Sequence, residues 1–155
     1  MWNVDGVGMC WMAGLTVLFS TFNGAATLPR MLDAFERLET PPGGWRIVAV
    51  DNASTDDSAA LLETRKASLP LTVLAEPRQG KNYGLNTGLA AIEGNLVMLT
   101  DDDVVPQEDW LVAMQRVANE QPDCAIFGGK IYPIWPATPP DWMLRCVPKG
   151  HFAWD

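Results

Sequence analysis

The apolar run Leu96-Val97-Met98-Leu99-Thr100 stops at three consecutive carboxylates, Asp101, Asp102 and Asp103. A short apolar run of this kind reads as a buried strand, and a buried strand has no packing use for such an ending. At an effective dielectric near 20, two like charges about 4 Å apart repel by roughly 4 kcal/mol. The cluster therefore calls for protons or a cation. Alternation along a strand sends Asp101 and Asp103 to one side and Asp102 to the other. Two carboxylates converging at a strand end suit a hard divalent cation that keeps ligand positions open for phosphate oxygens. A solvated acidic turn or a capping loop is the plainer alternative for an isolated acidic triplet.

The same punctuation recurs along the chain. Leu15 to Ser20 reads as a buried strand followed by Thr21 and Asn23, and Trp45 to Val50 as a second strand closed by Asp51 and Asn52. Leu71 to Ala75, Leu96 to Thr100 and Cys124 to Phe127 give a third, fourth and fifth strand, the last ended by Gly128-Gly129. Helical patterns lie between them. Thr27-Leu28-Pro29 opens one, with Pro tolerated in the first turn and an apolar stripe at Leu28, Met31, Leu32 and Phe35. Ser54, Thr55, Asp56 and Asp57 supply capping oxygens and negative charge to the next. Gly80 to Ile92 and Pro106 to Val117 give two more. In the first of these, Gly84 and Gly88 share a face and permit close approach, while Leu85, Leu89 and Ile92 read as core. Arg78 and Lys81 flank Gly80 at a helix start, where free N–H groups favour anions.

Short strands alternating with helices imply an α/β fold, a mostly parallel sheet flanked by helices on both faces. Ligands of such sheets sit beyond the carboxyl ends of the strands. The clusters at Thr21 and Asn23, at Asp51 and Asn52, and at Asp101 to Asp103 all fall there.

Composition removes several classes. A chain of 155 residues buries close to 70% of its unfolded surface, enough for a core. The formal charge of −8 argues against a nucleic-acid-binding face, which needs basic stripes. Cys10, Cys124 and Cys146 are far apart and show no CxxC spacing, so they read as reduced thiols of a cytosolic protein. His151 is the sole histidine, which excludes multi-histidine metal sites and disfavours a serine–histidine triad. The apolar stretch from Met9 to Phe19 is too short to span a membrane, and the N-terminus lacks the basic residues of a signal peptide.

Four segments taken together are specific. Ser20-Thr21-Phe22-Asn23, Val50 to Asp56, Gly80-Lys81 with Leu85-Asn86-Thr87-Gly88-Leu89, and Thr100 to Asp103 resemble the successive signatures of family 2 glycosyltransferases of the GT-A fold. The resemblance runs from Leu15 to Gly129. It implies a Rossmann-like nucleotide-sugar-binding domain over 14–131, preceded by an extension over 1–13. The Pro- and Trp-rich segment 132–155 would then begin an acceptor half. It also implies donor-nucleotide contacts from Thr21, Asn23, Asp51, Asn52, Lys81, Asn86, Asp101 and Asp102, with Asp51 at the base and Asp101 on the ribose side. Asp103, with Asp101, would hold Mn²⁺ or Mg²⁺ on the diphosphate, where the metal stabilises the departing group as a Lewis acid.

The implied partners are a nucleotide sugar, with a UDP-sugar first, and a glycan or lipid-linked acceptor. Inverting transfer and a cytoplasmic location, peripheral to the inner face of a membrane, are implied with them. The family's catalytic carboxylate lies in the acceptor half. After Gly129 only Asp141 and Asp155 are acidic, and neither sits in such a setting. The expectation is therefore a donor-binding half that stops before the acceptor half, has no identified general base, and is inactive alone. Trp135, Trp142, Phe152 and Trp154 would form uncovered apolar surface, favouring a homo-oligomer or membrane contact.

Two readings of other classes compete. A metal-dependent nucleotidyltransferase uses a similar acidic sheet edge but needs a basic phosphate loop after the first strand, and Asn23-Gly24-Ala25-Ala26-Thr27 carries no basic residue. A receiver-like signalling module, with Asp51 or Asp101 phosphorylated, accounts for the acidic clusters but not for the Gly80 to Gly88 pattern.

Overall fold

Five consecutive residues of β1 (Leu15–Thr21), Leu15 through Phe19, are fully buried. A strand reaches that state only when both faces of its sheet are covered. The computed structural model describes residues 14–135 and 137–146. The expected extension over 1–13, with Cys10, lies outside them, as do His151, Phe152, Trp154 and Asp155.

β2 (Trp45–Asp51), β3 (Leu71–Ala75) and β4 (Leu96–Leu99) join β1 in one parallel sheet of order β3-β2-β1-β4. The register sets Thr21 against Asp51 and Asp51 against Ala75, so three strands finish level. β4 closes earlier, with Leu99 opposite Leu18, and Thr100 N–H still donates to the Leu18 carbonyl at 3.2 Å. The chain after it thus runs on toward the edge where the other strands end. The strand order reverses between β1 and β4, which puts the switch point of the sheet there.

α1 (Leu28–Phe35), α2 (Ser58–Arg65) and α4 (Trp110–Glu120) contribute to the larger core. Their Leu28, Met31, Leu32, Phe35, Leu62 and Leu111 join Val17, Phe19, Ile47 and Ala49 there. The stripe expected on α1 is the buried one. A smaller cluster holds Leu18, Val48 and Val50 with Leu85 of α3 (Lys81–Leu89) and with Val97 and Ile92. α3 meets the sheet through its glycines. A Cβ built on Gly88 would strike the Leu18 side chain and lie 3.1 Å from Val50 Cγ2. One built on Gly84 would strike Ser20 Oγ and lie 2.9 Å from Ser20 Cβ.

Several sequence expectations are corrected. Cys124–Phe127 forms no strand, and Ile126 is 91% exposed. An apolar segment becomes a strand only where a neighbour takes its backbone hydrogen bonds, and this one has no ladder among the described residues. α3 ends at Leu89 and not at Ile92, and Leu89 is half exposed where core was expected. α4 starts at Trp110, four residues past Pro106. The compact unit carrying the sheet runs to Gln121.

The second unit, Pro122–Asp155, contains α5 (Asp141–Cys146) and exposes Ile131, Tyr132, Ile134, Trp135 and Trp142. No helix among the described residues is long and apolar enough to cross a membrane.

Candidate functional site

At the switch point the chain folds around a cleft of about 410 Å³. Ser20, Thr21 and Phe22 line it from the end of β1, and Asn52 from the end of β2. Gln79, Gly80 and Lys81 come from the start of α3, and Asp101, Asp102 and Asp103 from the turn after β4. Thr21, Asn52, Lys81, Asp101, Asp102 and Asp103 of the expected site are thus brought together. Ser20 and Gln79 are additions: Ser20 opens the Ser20–Asn23 signature but was assigned no contact, and Gln79 carried no signal beyond its place beside Gly80.

The three aspartates are sorted by their partners and not by strand geometry. β4 closes at Leu99, so the alternation that would align Asp101 with Asp103 stops before reaching either. Asp101 is ion-paired with Lys81, and both side chains are more than half exposed. Pairs this exposed hold weakly. Asp102 accepts the Thr21 hydroxyl at 2.5 Å, and Thr21 is 1% exposed. Gly24 stands beside this bond, where a Cβ would strike Thr21 Oγ1 and come within 2.7 Å of Asp102 Oδ2. Asp103 is exposed and has no hydrogen bond or ion pair among the described residues.

Asn52 is 1% exposed and spends its side-chain amide on the β3–α3 connection. Its Nδ2 donates to the carbonyls of Glu76 and Arg78 at 3.1 and 2.6 Å, and its Oδ1 accepts the Gly80 N–H at 2.7 Å. It shapes the cleft by fixing the segment that carries Lys81.

Glu76 fixes that segment a second time. It is 5% exposed. Its oxygens take Arg78 Nε, Nη2 and the Arg78 backbone N–H, each at 2.9 Å, and the Thr87 hydroxyl at 2.6 Å. These bonds, the Arg78 side chain first and Thr87 next, hold the Glu76 carboxyl down at about 2, against an ordinary 4.5. Arg78 is not among the residues lining the cleft, and its guanidinium lies 4.6 Å from the centre of the Tyr83 ring. Sequence reasoning missed Glu76. An acidic residue and a basic one two positions apart after a strand was the only available signal.

Asn23 and Asn86 are placed elsewhere. Asn23 sits in left-handed backbone at φ 53°. Its Oδ1 accepts the Thr55 N–H at 2.8 Å, and its own N–H donates to Ser54 Oγ at 3.0 Å. Ala25 N–H donates to Asp56 Oδ2 at 3.0 Å, so the loops after β1 and β2 are stitched together. Asp56 also accepts the Ser58 N–H and hydroxyl at the start of α2, and the hydroxyl bond is the main cause of its lowered pKa. Asn86 lines a separate concavity with Asn82, Leu85, Leu89 and Leu99. Asp51 lies at the same sheet edge, paired in register with Thr21, and its Oδ1 is buried without a hydrogen-bond partner.

A parallel sheet with polar groups gathered beyond its carboxyl edge defines a ligand-binding domain of the doubly wound α/β type. The chain belongs to glycosyl transferase family 2, whose family model matches residues 16–145. The glucosyl-dolichyl phosphate glucuronosyltransferase of Haloferax volcanii is 26% identical over 82 residues, covering 48% of this chain and 26% of that protein. An uncharacterised glycosyltransferase of Mycobacterium tuberculosis is 34% identical over 94 residues, covering 59% of this chain and 38% of the relative. The chain thus spans between a quarter and two-fifths of the length of these relatives.

Among solved structures, the mannosyltransferase of Pyrobaculum calidifontis in complex with GDP-Man and Mn²⁺ is 30% identical, with a TM-score of 0.63. That match covers 76% of this chain and 36% of the other. TarS of S. aureus, 23% identical with a TM-score of 0.65, covers 70% of this chain and 33% of its own and shares the fold. The GT-A, Rossmann-like class expected from the sequence therefore holds, and the nucleotidyltransferase and receiver readings give way to it.

Proposed function

We propose that the cleft binds the nucleoside diphosphate of a nucleotide sugar together with a divalent cation, as the donor site of a glycosyl transfer. The observation that carries this reading is the meeting of Thr21, Lys81 and Asp101 to Asp103 around one cleft at the reversal of strand order. Its volume is that of a small-molecule site, about 300–1,000 Å³. Asp51 does not line the cleft, but it ends β2 beside Asn52 and its buried Oδ1 has no hydrogen-bond partner, which makes it the candidate acceptor for a ligand N–H such as one on a base. Phe22, 44% exposed, gives the cleft an aromatic face for the nucleoside.

The residues fit a hard cation. The donor set is all oxygen, and among the described residues Asp103 has no partner to displace. No group of three His, Cys, Asp or Glu side chains is arranged to cage a metal among the described residues. That suits a cation bound through one or two carboxylates with the rest supplied by phosphate and water, as Mg²⁺ commonly is. Asp103 and Asp101 would hold it, and when bound it supplies Lewis-acid stabilisation of the departing diphosphate. Lys81 brings positive charge to the same diphosphate. Asn52 and Glu76 hold the segment that carries Lys81 in place, and Thr21 holds Asp102.

The resemblance puts a UDP-sugar first. The mannosyltransferase that is 30% identical carries GDP-Man, which makes GDP the competitor to test. Calorimetric titration of the full chain with UDP and GDP, each with Mn²⁺, Mg²⁺ or a chelator, decides the matter. Binding of one nucleotide in metal and its loss in chelator is expected. Failure of both to bind in saturating metal overturns the reading.

A further inference from the structure

We propose that Lys81 is an exchangeable counter-ion that couples metal binding to diphosphate binding. In the free protein it neutralises Asp101; an arriving diphosphate draws it away and opens that carboxylate to the cation. This rests on the reading of the cleft given above.

The argument begins with which carboxylates are open. Asp102 is engaged by Thr21 and Asp101 by Lys81, and of the three only Asp103 has no partner among the described residues. One exposed carboxylate is a poor hold for a divalent cation, which also needs other oxygens to replace its water. A cation arriving alone therefore meets a site with one ligand free and a second cancelled by an ammonium.

The two engagements differ in kind. The Thr21–Asp102 bond has a buried donor and is walled by Gly24, so it has no room to exchange. Lys81 and Asp101 expose 56% and 54% of their side chains, so swapping partners there uncovers little. The Lys81 backbone is held independently of the ion pair. It opens α3 directly after Gly80, whose N–H is fixed on Asn52, and Gly84 seats the helix against Ser20. The ammonium can therefore swing on its four-carbon stem while its anchor stays fixed. A diphosphate, carrying more negative charge than one carboxylate, outcompetes Asp101 for it. Asp101 is then freed as metal and phosphate oxygens come together. By linkage, each ligand raises the affinity for the other by the same factor.

Mn²⁺ binding to the full chain without nucleotide, read from the EPR signal of free aquo Mn²⁺, tests this beside calorimetry of UDP and GDP in Mn²⁺. The expected result is a pair of opposite effects. Lys81→Met tightens Mn²⁺ binding about tenfold at low ionic strength, and the gain shrinks at high salt; the same variant weakens nucleotide binding. Lys81→Arg keeps the charge and follows the wild type in the Mn²⁺ measurement. Adding Asp103→Asn to Lys81→Met removes the gained Mn²⁺ binding. Unchanged or weaker Mn²⁺ binding by Lys81→Met overturns the exchange, as does a gain that survives Asp103→Asn. If the wild type binds neither nucleotide in saturating Mn²⁺, the reading of the cleft fails and takes the exchange with it. Nucleotide binding that persists without the opposite effects sinks the exchange alone.

Discussion

Thr21 and Asp102 stand 81 positions apart in sequence and share a 2.5 Å hydrogen bond at the carboxyl edge of the sheet. The bond ties the end of the buried central strand to the acidic turn after β4. It gives Asp102 a structural task that Asp103, without a partner among the described residues, does not have.

The two aspartates should therefore separate experimentally. Asp103→Ala is expected to abolish metal-dependent nucleotide binding and leave the melting temperature unchanged. Thr21→Val should lower stability by about 1–3 kcal/mol, because it deprives a partly buried carboxylate of its donor. Thermal melts and calorimetry of both variants check this, and a destabilised Asp103→Ala would contradict the assignment.

Asp51→Ala should show the reverse pattern to Thr21→Val. Removing a carboxylate whose buried Oδ1 has no partner relieves the free protein of an unsatisfied group, so its melting temperature should hold or rise. Nucleoside affinity should fall by about 1–3 kcal/mol, since a buried contact is lost. Uridine and guanosine titrations read this without any contribution from the diphosphate, and unchanged affinity for both would refute the contact.

Acid should loosen the segment that carries Lys81. The Glu76 carboxyl lies at about 2 in the folded chain against an ordinary 4.5. The fold therefore favours its ionised form, and that contribution is complete above 4.5. It drains away as pH falls through the interval down to about 2. Glu76→Gln should flatten this part of a stability-against-pH curve. Asp56 and Glu36, whose pKa values are also lowered, sustain the remaining slope. A curve unaltered by the substitution would show that Arg78 and Thr87 do not hold the carboxylate in solution.

Gly88→Ala should cost about 1–3 kcal/mol by overpacking, because the new methyl meets the buried Leu18 and Val50 side chains. Urea unfolding measures it. In a Leu18→Ala background, which leaves room for the methyl, the added cost of Gly88→Ala should shrink.

Much of this architecture was readable because apolar runs and their polar endings are local properties. β2 and β3 begin where the pattern puts them, α1 buries its Leu28–Phe35 stripe, and Thr21, Asp51 and Asp101 to Asp103 fall at one edge. The misses depend on partners far along the chain. Alternation could not predict the sorting of the aspartates, because Thr21 and Lys81 decide it after β4 has closed. Asn23 carries a family-like signature, yet its amide oxygen is taken by Thr55. Glu76 escaped notice because its fourfold engagement depends on how the following turn brings Arg78 and Thr87 back to it.

The bare face of α3 has a mechanical meaning. With hydrogen in place of side chains at Gly84 and Gly88, the helix beds directly on Ser20, Leu18 and Val50, as a key lies in its slot. Rolling or sliding it would drive neighbouring side chains into the sheet. Lys81, at the tip of this seated rod, therefore pivots from a fixed point, and its reach toward Asp101 is set by two residues that carry no functional group.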